Sequence, residues 1–478
     1  MNQRLISRRE ILAAGAAGGL AMRIARGAPA RARQPNIIFI LADDMGYADA
    51  SCYGAPTIRT PAIDRLAREG VRFTQAYANS AVCSATRTAL ITGRYQYRLP
   101  LGLEEPLATS KEVGLPPEHP TLPSLLKQVG YETALIGKWH LGALPGFDPL
   151  KSGYDHFWGF RGGAVDYFSH DIAGNADLWD GPTPIKQQGY LTDLLGQHAV
   201  DFVKSRTLRS KPFLLSLHFN APHWPWETAD DEAESRRLAG TMPIDFDGGT
   251  QAIYNRMVEA MDLQIARLLA TLDKSGLAQD TIVVFSSDNG GERFSNTWPF
   301  SGRKTELLEG GLRVPAVIRW PGRLPAGSIN SQVTISMDWM PTLLAAAGTA
   351  PVATLPSDGI NLLPLLAAGA RPVERTLYWR YKANAQRAIR SADYKVVKIA
   401  GNTFLFNVVA DPLERANLKQ RLPDVYKRLT AAWDAWNRTM LPEWAGSYTD
   451  NFNGSTYADH INTPAIDAAA VDSDPAWP

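Results

Sequence analysis

The sequence is poor in cysteine, in net charge and in long apolar runs, and each shortage excludes a class of protein. Only two cysteines occur in 478 residues, so a small domain held together by several disulfides is excluded. The formal net charge of +1 gives no overall basic field, and we expect no nucleic-acid partner. No apolar run reaches the roughly 20 residues that a membrane-spanning helix needs, so we expect no stable membrane anchor. The composition, 45% hydrophobic and 20% charged, is instead that of a large globular protein.

The first 32 residues differ from the rest of the chain in charge and pattern. They hold six arginines against the single acidic residue Glu10, which leaves the remaining chain mildly acidic. Residues 7–12 (SRREIL) resemble a twin-arginine export signal, and a weakly apolar stretch and small-residue cleavage sites follow. The alternative is a disordered basic tail. We expect residues 1–32 to be a signal peptide read by the twin-arginine export machinery, and the protein to be periplasmic or secreted.

Predicted strands and helices alternate along the first three quarters of the chain. The continuous apolar run Asn36–Ala42 predicts a buried strand. Further strands are predicted at residues 132–136, 213–219, 281–286 and 314–320, and helices at residues 60–70, 121–129, 190–205, 253–272 and 339–347. This alternation predicts an α/β fold, with a large mixed, mostly parallel sheet sandwiched by helices.

The pattern changes after about residue 356. Short strands are predicted at residues 377–380, 386–391, 394–399 and 403–407, and a helix at residues 426–437. They indicate a smaller C-terminal antiparallel sheet plus one helix. We therefore expect a catalytic α/β domain at residues 33–356, a C-terminal α+β subdomain at residues 357–445 and an irregular tail at residues 446–478.

Charged, amide or imidazole side chains follow four of the predicted strands. In chain order they are Asp43 and Asp44, Lys138 and His140, His223, and Asp288 and Asn289. Any one of these would by itself be typical of a solvated loop. Ligands of an open parallel sheet bind outside the carboxyl ends of its strands, so four such strand ends together predict a site.

The residue types at this edge indicate a metal-assisted reaction on an anion. The carboxylates and the amide offer only oxygen ligands, which suit a hard divalent cation such as Ca²⁺ or Mg²⁺. Arg87, Lys138 and Lys304 can gather around an anionic group. Such a site would hold an anionic ester and stabilise the charge that develops on its leaving oxygen.

The surroundings of Cys83 carry a resemblance to a known family. In an exported protein, Cys52 and Cys83 could form a disulfide or remain as inert buried thiols. However, residues 81–94 (AVCSATRTALITGR) resemble the signature of the formylglycine-dependent sulfatases, in which a cysteine is followed by Pro or Ala two places on and by Arg four places on. Here those positions are Ala85 and Arg87.

Other segments match the same family in the right order. Residues 130–140 are similar to the second sulfatase signature. Residues 35–46, 221–225, 286–291, 302–315 and 406–418 also resemble family segments. The resemblance covers roughly residues 35–420, and by it the chain is identified as a member of the type I sulfatases of the alkaline phosphatase superfamily.

The resemblance implies that a maturation enzyme oxidises Cys83 to formylglycine (3-oxoalanine), whose hydrate is a geminal diol. One hydroxyl would displace the alcohol from sulfur, and the other would then expel sulfate by internal collapse. Pro is the commoner family residue at the position of Ala85. This departure leaves open whether the maturation enzyme is oxygen-dependent or radical-based.

The resemblance also implies a role for each site residue. One Ca²⁺ per chain would be held by Asp43, Asp44, Asp288, Asn289 and an oxygen of the modified Cys83. Arg87 would orient the diol, Lys138 would bind sulfate oxygens, and His140 would take the proton in the elimination step. His223 and Lys304 would serve the leaving-group side.

Two alternatives to a sulfatase remain open from the sequence. A phosphate or phosphonate ester hydrolase of the same superfamily generally uses two transition metals with added histidine ligands, whereas Asn289 stands here where such a histidine often lies. The other alternative is a catalytically silent carbohydrate-binding relative. Among sulfates, the sequence leaves aryl and sugar esters open, because Tyr167, Trp226 and Trp298 could stack on either ring.

Overall fold

The computed structural model describes residues 34–108, 110–208, 210–240, 248–399, 401–443 and 477. The chain divides into two units, Met1–Arg33 and Gln34–Pro478. The predicted signal peptide and, apart from residue 477, the predicted tail lie outside the described residues. The predicted boundaries within the second unit stay predictions.

The strands belong to one large sheet, one medium sheet and two small ones. In chain order they are β1 (Asn36–Ala42), β2 (Val71–Phe73), β3 (Ala76–Tyr77), β4 (Glu132–Lys138), β5 (His156–Phe160), β6 (Asp171–Ile172), β7 (Asn175–Ala176), β8 (Trp179–Asp180), β9 (Thr183–Pro184), β10 (Phe213–His218), β11 (Thr281–Ser287), β12 (Ala316–Arg319), β13 (Ser328–Asn330), β14 (Thr334–Ile335), β15 (Thr376–Tyr381), β16 (Gln386–Ser391), β17 (Tyr394–Ile399) and β18 (Asn402–Asn407).

Helices cover both faces of the large sheet or join its strands. They are α1 (Pro61–Glu69), α2 (Cys83–Thr92), α3 (Leu122–Gln128), α4 (Leu191–Arg206), α5 (Glu232–Leu238), α6 (Gln251–Lys274), α7 (Glu309–Leu312), α8 (Trp339–Ala346) and α9 (Pro423–Asn437). Among the described residues, no helix combines the length and the apolar character that crossing a membrane requires.

The ten-stranded sheet has the order β13-β2-β12-β11-β1-β10-β4-β5-β8-β9. Its central strands β11, β1, β10, β4 and β5 are all parallel, and β1 lies between β11 and β10. All seven residues of β1 are buried, because helices cover the sheet on both faces. The predicted fold class is confirmed. The strand predicted at residues 314–320 is shorter than expected and runs antiparallel to β11, and β5 was not predicted.

The smaller sheet is an antiparallel meander in the order β15-β16-β17-β18. One face packs against α9 through Leu429 and Trp433. The other face packs against α2, where Trp379 and Ala388 join a cluster with Ala85. This sheet therefore lies directly behind the helix that begins at Cys83.

A buried ionic cluster joins the smaller sheet to the large one. Lys395 Nζ lies 3.0 Å from Glu309 Oε1 and 3.1 Å from Glu414 Oε1, and none of the three side chains reaches solvent. Arg313 Nε also donates to Glu309 Oε2 at 2.7 Å. Although burial acts in the opposite direction, Lys395, Arg313 and Arg390 lower the pKa of Glu309 to about 2. Glu309 therefore stays ionised inside the protein.

Candidate active site

The carboxyl ends of the central strands bring the predicted site residues together. Ala42, the last residue of β1, pairs with Ser287, the last residue of β11, so Asp43 and Asp288 follow at the same level. Asp44 N donates to Asp288 Oδ1 at 3.2 Å across this edge. Lys138 ends β4 two strands away, and Asp43, Asp44, Lys138 and Asp288 are all at most 1% exposed.

Each aspartate after β1 is paired with a lysine. Lys138 Nζ lies 2.6 Å from Asp43 Oδ2, and Lys304 Nζ lies 2.6 Å from Asp44 Oδ2. Burial raises the pKa of Asp44, but the charges of Lys304 and the neighbouring basic groups outweigh it and hold that pKa below its ordinary value. Asp44 is therefore an anion at neutral pH.

Arg87 binds the third carboxylate of the site, that of Asp288. It lies on α2, one helical turn after Cys83, and its Nε and Nη2 both donate to Asp288 Oδ2, at 3.0 and 2.8 Å. Arg87 Nη2 also lies 3.6 Å from Asp43 Oδ1. Burial and the charge of Asp43 raise the pKa of Asp288 to about 7, against the opposing effect of Arg87.

Cys83 is the first residue of α2 and lies beside this cluster. Its Sγ lies 3.9 Å from Asp44 Oδ1, and the residue is only 3% exposed. Both cysteines are free, which rules out the Cys52–Cys83 disulfide that the sequence left open. Burial raises the pKa of the Cys83 thiol well above its usual range, so an unmodified thiol here is protonated and a poor nucleophile.

His223 lies beside the cluster, with its Nε2 3.4 Å from Asp44 Oδ2. His223 Nδ1 lies 2.7 Å from Trp224 O, while His223 Nε2 lies 3.3 Å from Lys304 Nζ. Because an ammonium can only donate, Nδ1 carries the proton and Nε2 accepts. Burial, reinforced by Lys304, lowers the pKa of His223 to about 3, so its ring is neutral.

His140 is held in an unusual conformation. Its φ is 57°, and its Nε2 lies 2.9 Å from Leu107 O. Its buried Nδ1 has no hydrogen-bond partner among the described residues. A Cβ at position 163 would lie 2.9 Å from His140 Cε1, so Gly163 leaves room for the ring.

The donor atoms of the site fit a hard cation. Ligand atoms of Asp43, Asp44, Cys83 and His223 all lie within 4.8 Å of one another. Asp43 Oδ1 and Asn289 Oδ1 are buried and have no hydrogen-bond partner among the described residues. An unpaired buried oxygen costs about 1–3 kcal/mol, and a divalent cation would satisfy both of these oxygens. The sequence did not predict His223 as part of this donor group.

Two family models match the chain. The Sulfatase model matches residues 35–349, and a model described as N-sulphoglucosamine sulphohydrolase, C-terminal, matches residues 302–434. The first of these covers well over half of the chain. The chain belongs to the sulfatase family. The resemblance read from the sequence is thus confirmed, and the protein is a sulfate ester hydrolase.

Individual relatives are similar over most of their length. The chain is 32% identical to the N-acetylgalactosamine-6-sulfatase of Rattus norvegicus, with 78% of this chain and 72% of the relative covered. It is also 32% identical to the steryl-sulfatase of Mus musculus, with 80% and 73% covered. Among solved structures, Ps i-CgsB in complex with k-i-k-neocarrahexaose has a TM-score of 0.77 and 29% identity, and the match covers 91% of this chain and 99% of that one.

Sequence reasoning missed two charged or imidazole residues of this sulfatase site. His218, which belongs to none of the sequence motifs, ends β10, and its Nδ1 lies 3.4 Å from Arg87 Nη1 and 3.2 Å from Lys138 O. Its place at the end of a central strand was the available signal. Glu292 Oε2 lies 3.7 Å from Lys304 Nζ. Glu292 directly follows the glycine pair after Asn289, which was the corresponding signal in the sequence.

The aromatic residues expected at the substrate cleft differ in exposure. Tyr167 is fully buried, and its hydroxyl donates to His223 O at 2.8 Å. Trp226 is 4% exposed and packs edge-on against Phe294. Neither offers a free ring face, which corrects the expectation that they could stack on substrate. Trp298 is 65% exposed and keeps that option.

Proposed function

We propose that this sulfatase cleaves sulfate monoesters with a formylglycine made from Cys83 and with one Ca²⁺ held by Asp43, Asp44, Asp288, Asn289 and an oxygen of residue 83. The observation that supports this most directly is the place of Cys83. It lies at the start of α2, with Sγ 3.9 Å from Asp44 Oδ1 and sealed from solvent. A thiol in this environment has little reactivity of its own, whereas a diol at the same position could attack a bound ester.

The charges of the site match an anionic ester. Three carboxylates face three cationic side chains, Arg87, Lys138 and Lys304, so the protein groups alone are close to neutral. A bound Ca²⁺ supplies Lewis-acid stabilisation of the charge that develops on oxygen. It also makes the site cationic overall, which favours binding of a sulfate monoester. Lys138 binds the sulfate oxygens, and Arg87 orients the nucleophile at residue 83.

Proton transfers fall to His140 and to Lys304. Burial, and after it the charge of Lys138, lowers the pKa of His140 well below its usual range, and its Nδ1 lacks a partner among the described residues. His140 can therefore accept a proton at Nδ1. On the leaving-group side, Lys304 Nζ donates to the departing oxygen, while His223 Nε2, 3.3 Å away, accepts from that ammonium and orients it.

For the substrate we propose a sulfated carbohydrate. Support comes from the similarity to the N-acetylgalactosamine-6-sulfatases and to Ps i-CgsB, whose structure is a complex with the oligosaccharide k-i-k-neocarrahexaose. The exposed ring of Trp298 offers a flat apolar face of the kind that stacks on a sugar. Steroid and aryl sulfates are the competing class, because the steryl-sulfatases are similarly close in sequence.

A combined mass and activity experiment tests this proposal. The protein is expressed with a formylglycine-generating enzyme, and the peptide that contains Cys83 is examined for conversion of the thiol to the aldehyde. Sulfate release is then measured on sulfated saccharides, nitrophenyl sulfate and a steroid sulfate. An active enzyme with an unmodified Cys83, or a Cys83→Ala variant that keeps its activity, would contradict the mechanism. A higher kcat/KM on the steroid sulfate than on every saccharide would contradict the substrate class, whereas nitrophenyl sulfate, with its good leaving group, serves only to show that the enzyme is active.

The phosphate and phosphonate alternative and the silent binding relative are both less favoured. The family matches are to sulfatases. The oxygen-rich donor set also suits one hard cation better than a pair of transition metals. The intact pairs of Asp43 with Lys138 and of Asp44 with Lys304 argue against a degenerate site.

We also propose export by the twin-arginine route, which the SRREIL segment at residues 7–12 supports. This route carries folded proteins, so the modification of Cys83 and the binding of Ca²⁺ would precede export. Replacing Arg8 and Arg9 by lysine should leave the protein in the cytoplasm on cell fractionation. Unchanged export of that double variant would refute the route.

A further inference from the structure

The segment that carries Lys304 lies between two regular elements and depends on other parts of the protein for its shape. Thr305 has a φ of 71°, in the left-handed region that a β-branched residue rarely adopts. Such a conformation persists only where the surrounding contacts over-determine it. Contacts with other parts of the chain must therefore fix the backbone at residues 304–307.

Three parts of the chain supply these contacts. Lys304 N donates to Gly291 O at 3.0 Å, and Thr305 N donates to Ala81 O at 2.9 Å. The third contact is a two-point clamp by the side chain of Gln386. Its Nε2 donates to Thr305 O at 2.7 Å, and its Oε1 accepts from Leu307 N at 2.8 Å.

Gln386 is itself firmly held. It is the first residue of β16 and pairs with Tyr381, the last residue of β15. Its side chain is 1% exposed, and Nε2 also donates to Ala383 O at 3.1 Å. The clamp therefore joins the end of the β15–β16 hairpin, in the smaller sheet, to the segment that enters the active site.

The position of Lys304 is sensitive to this backbone. Its Nζ lies 2.6 Å from Asp44 Oδ2 and 3.3 Å from His223 Nε2, at the far end of a flexible side chain. Without the clamp, Thr305 O and Leu307 N would be left without these partners, and Thr305 could relax out of the left-handed region. The Cα of the adjacent Lys304 would then move, and its Nζ with it.

We infer that Gln386 is a positioning residue, which acts through the backbone of Thr305 and Leu307 to hold Lys304 against the leaving group. The catalytic part of this inference rests on the proposed function, because it takes Lys304 as a donor to the departing oxygen. The structural part, the clamp itself, is independent of that role.

A matched control exists in the same protein. Gln332 is also fully buried, and it also clamps backbone at both ends of its amide: Oε1 accepts from Val373 N at 2.8 Å, and Nε2 donates to Val373 O at 3.1 Å. The contacts of Gln332 lie at Val333 and Val373, outside the active site. Gln332→Ala therefore removes the same chemistry without touching the Lys304 segment.

The kinetic experiment uses the full chain with residue 83 modified. It compares a sulfated sugar, whose alcohol is a poor leaving group, with nitrophenyl sulfate, whose nitrophenolate is a good leaving group. For Gln386→Ala we expect kcat on the sugar sulfate to fall about 10- to 100-fold, as for other small displacements of a reacting group. The loss on nitrophenyl sulfate should be only a few-fold, and KM should change little on both. In a Lys304→Ala background, Gln386→Ala should cause no further loss on the sugar.

Two further variants distinguish the clamp from a general effect of removing a buried glutamine. Gln386→Glu keeps the acceptor for Leu307 N but loses the donor to Thr305 O, so its loss on the sugar should be intermediate. Gln332→Ala should keep the wild-type ratio of the two rates. Equal losses of Gln386→Ala on both substrates, or additive losses with Lys304→Ala, would overturn the positioning role. A rate ratio shifted in Gln332→Ala as much as in Gln386→Ala would overturn it too.

Amide hydrogen exchange separates failure of the clamp from failure of the proposed function. Gln386→Ala should speed exchange at least about tenfold in peptides that cover residues 305–307. Gln332→Ala should speed it around residue 373 instead. Unchanged exchange at residues 305–307 would overturn the clamp whatever the activity is. The catalytic part of the inference would be overturned by a wild-type enzyme without sulfatase activity. It would also be overturned by a Lys304→Ala variant that loses the same activity on both substrates. In either case the exchange result alone would decide whether the clamp exists.

Discussion

Arg87 holds Asp288 by a double contact in which both Nε and Nη2 donate to the same carboxylate oxygen, at 3.0 and 2.8 Å. Both side chains are sealed from solvent, at 2% and 0% exposure. The pair fixes the first turn of α2, where Cys83 lies, relative to the end of β11. It therefore joins the proposed nucleophile position to the proposed cation ligands.

Removing Arg87 should destabilise the protein. Arg87→Met leaves the buried Asp288 carboxyl without its two hydrogen bonds, and because its raised pKa lets it take up a proton, we expect a loss of about 1–3 kcal/mol in the free energy of unfolding. Urea denaturation monitored by tryptophan fluorescence measures it. The control is Arg65→Met, because Arg65 makes a similar two-pronged contact with Asp273 in a largely exposed setting. That variant should lose at most about 1 kcal/mol, and comparable losses in the two variants would contradict the prediction.

Calcium should stabilise the folded protein. Because the proposed ligands come together only in the folded state, Ca²⁺ at about 100 times its Kd should add about 2.7 kcal/mol, and EGTA should reverse this. Thermal denaturation at increasing Ca²⁺ concentration measures the effect without reference to activity. Asp43→Asn should weaken the response, whereas Asp358→Asn, at the ion pair with Arg98, should keep it. An unchanged response in Asp43→Asn would argue against the proposed ligand set.

Changes at His223 should depend on the leaving group. His223 Nε2 lies 3.3 Å from Lys304 Nζ on the proposed leaving-group side. His223→Ala should therefore slow hydrolysis of a sulfated sugar by about 100-fold or more, while nitrophenyl sulfate, whose anion departs without protonation, should lose much less. Steady-state rates on the two substrates measure the ratio. Equal losses on both would refute this role.

Stability should depend on pH through Asp262. This residue of α6 accepts from the backbone N–H groups of Ala62 and Ile63, both at 2.9 Å, and so caps α1. Burial raises the pKa of Asp262 to about 6, although the two backbone hydrogen bonds act in the opposite direction. Between about pH 4 and pH 6 the folded state thus keeps a proton that the unfolded state has lost.

The sign of this effect follows from proton binding. Because the folded state binds more protons in that window, the free energy of unfolding should fall as pH rises from about 4 to about 6, by at most about 3 kcal/mol from this group. Urea denaturation at several pH values gives the slope. Asp262→Asn should make it shallower but not flat, because the raised pKa of Asp288 acts in the same direction, and Asp201→Asn, at an exposed carboxylate, should leave it unchanged. A slope as steep in Asp262→Asn as in the wild type would show that Asp262 does not contribute.

The centre of the fold could be predicted from the sequence because its signals are local. The run Asn36–Ala42 is apolar throughout and forms β1 with the predicted bounds. The polar residues that follow β1, β4, β10 and β11 meet because parallel strands end at one edge. The four strands of the smaller sheet lie within a residue or two of their predicted positions, since turn residues separate them clearly.

The remainder depends on contacts between distant parts of the chain. The direction of β12 and the pairing of β5 are set by neighbours far away in sequence. Tyr167 and Trp226 are aromatic residues of the kind that line sugar-binding surfaces, yet packing buries both. Gln386 carries no motif at all, and its role emerges only because β16 places its amide beside Thr305.

The cluster of Lys395, Glu309 and Glu414 makes the smaller sheet indispensable to the larger one. A chain shortened before β15 would lose Lys395, so the Glu309 carboxylate would lose this ion pair. Glu309 lies only five residues beyond Lys304. The two sheets should therefore unfold as one cooperative unit, and a replacement for the C-terminal portion should have to supply a cation at the position of Lys395.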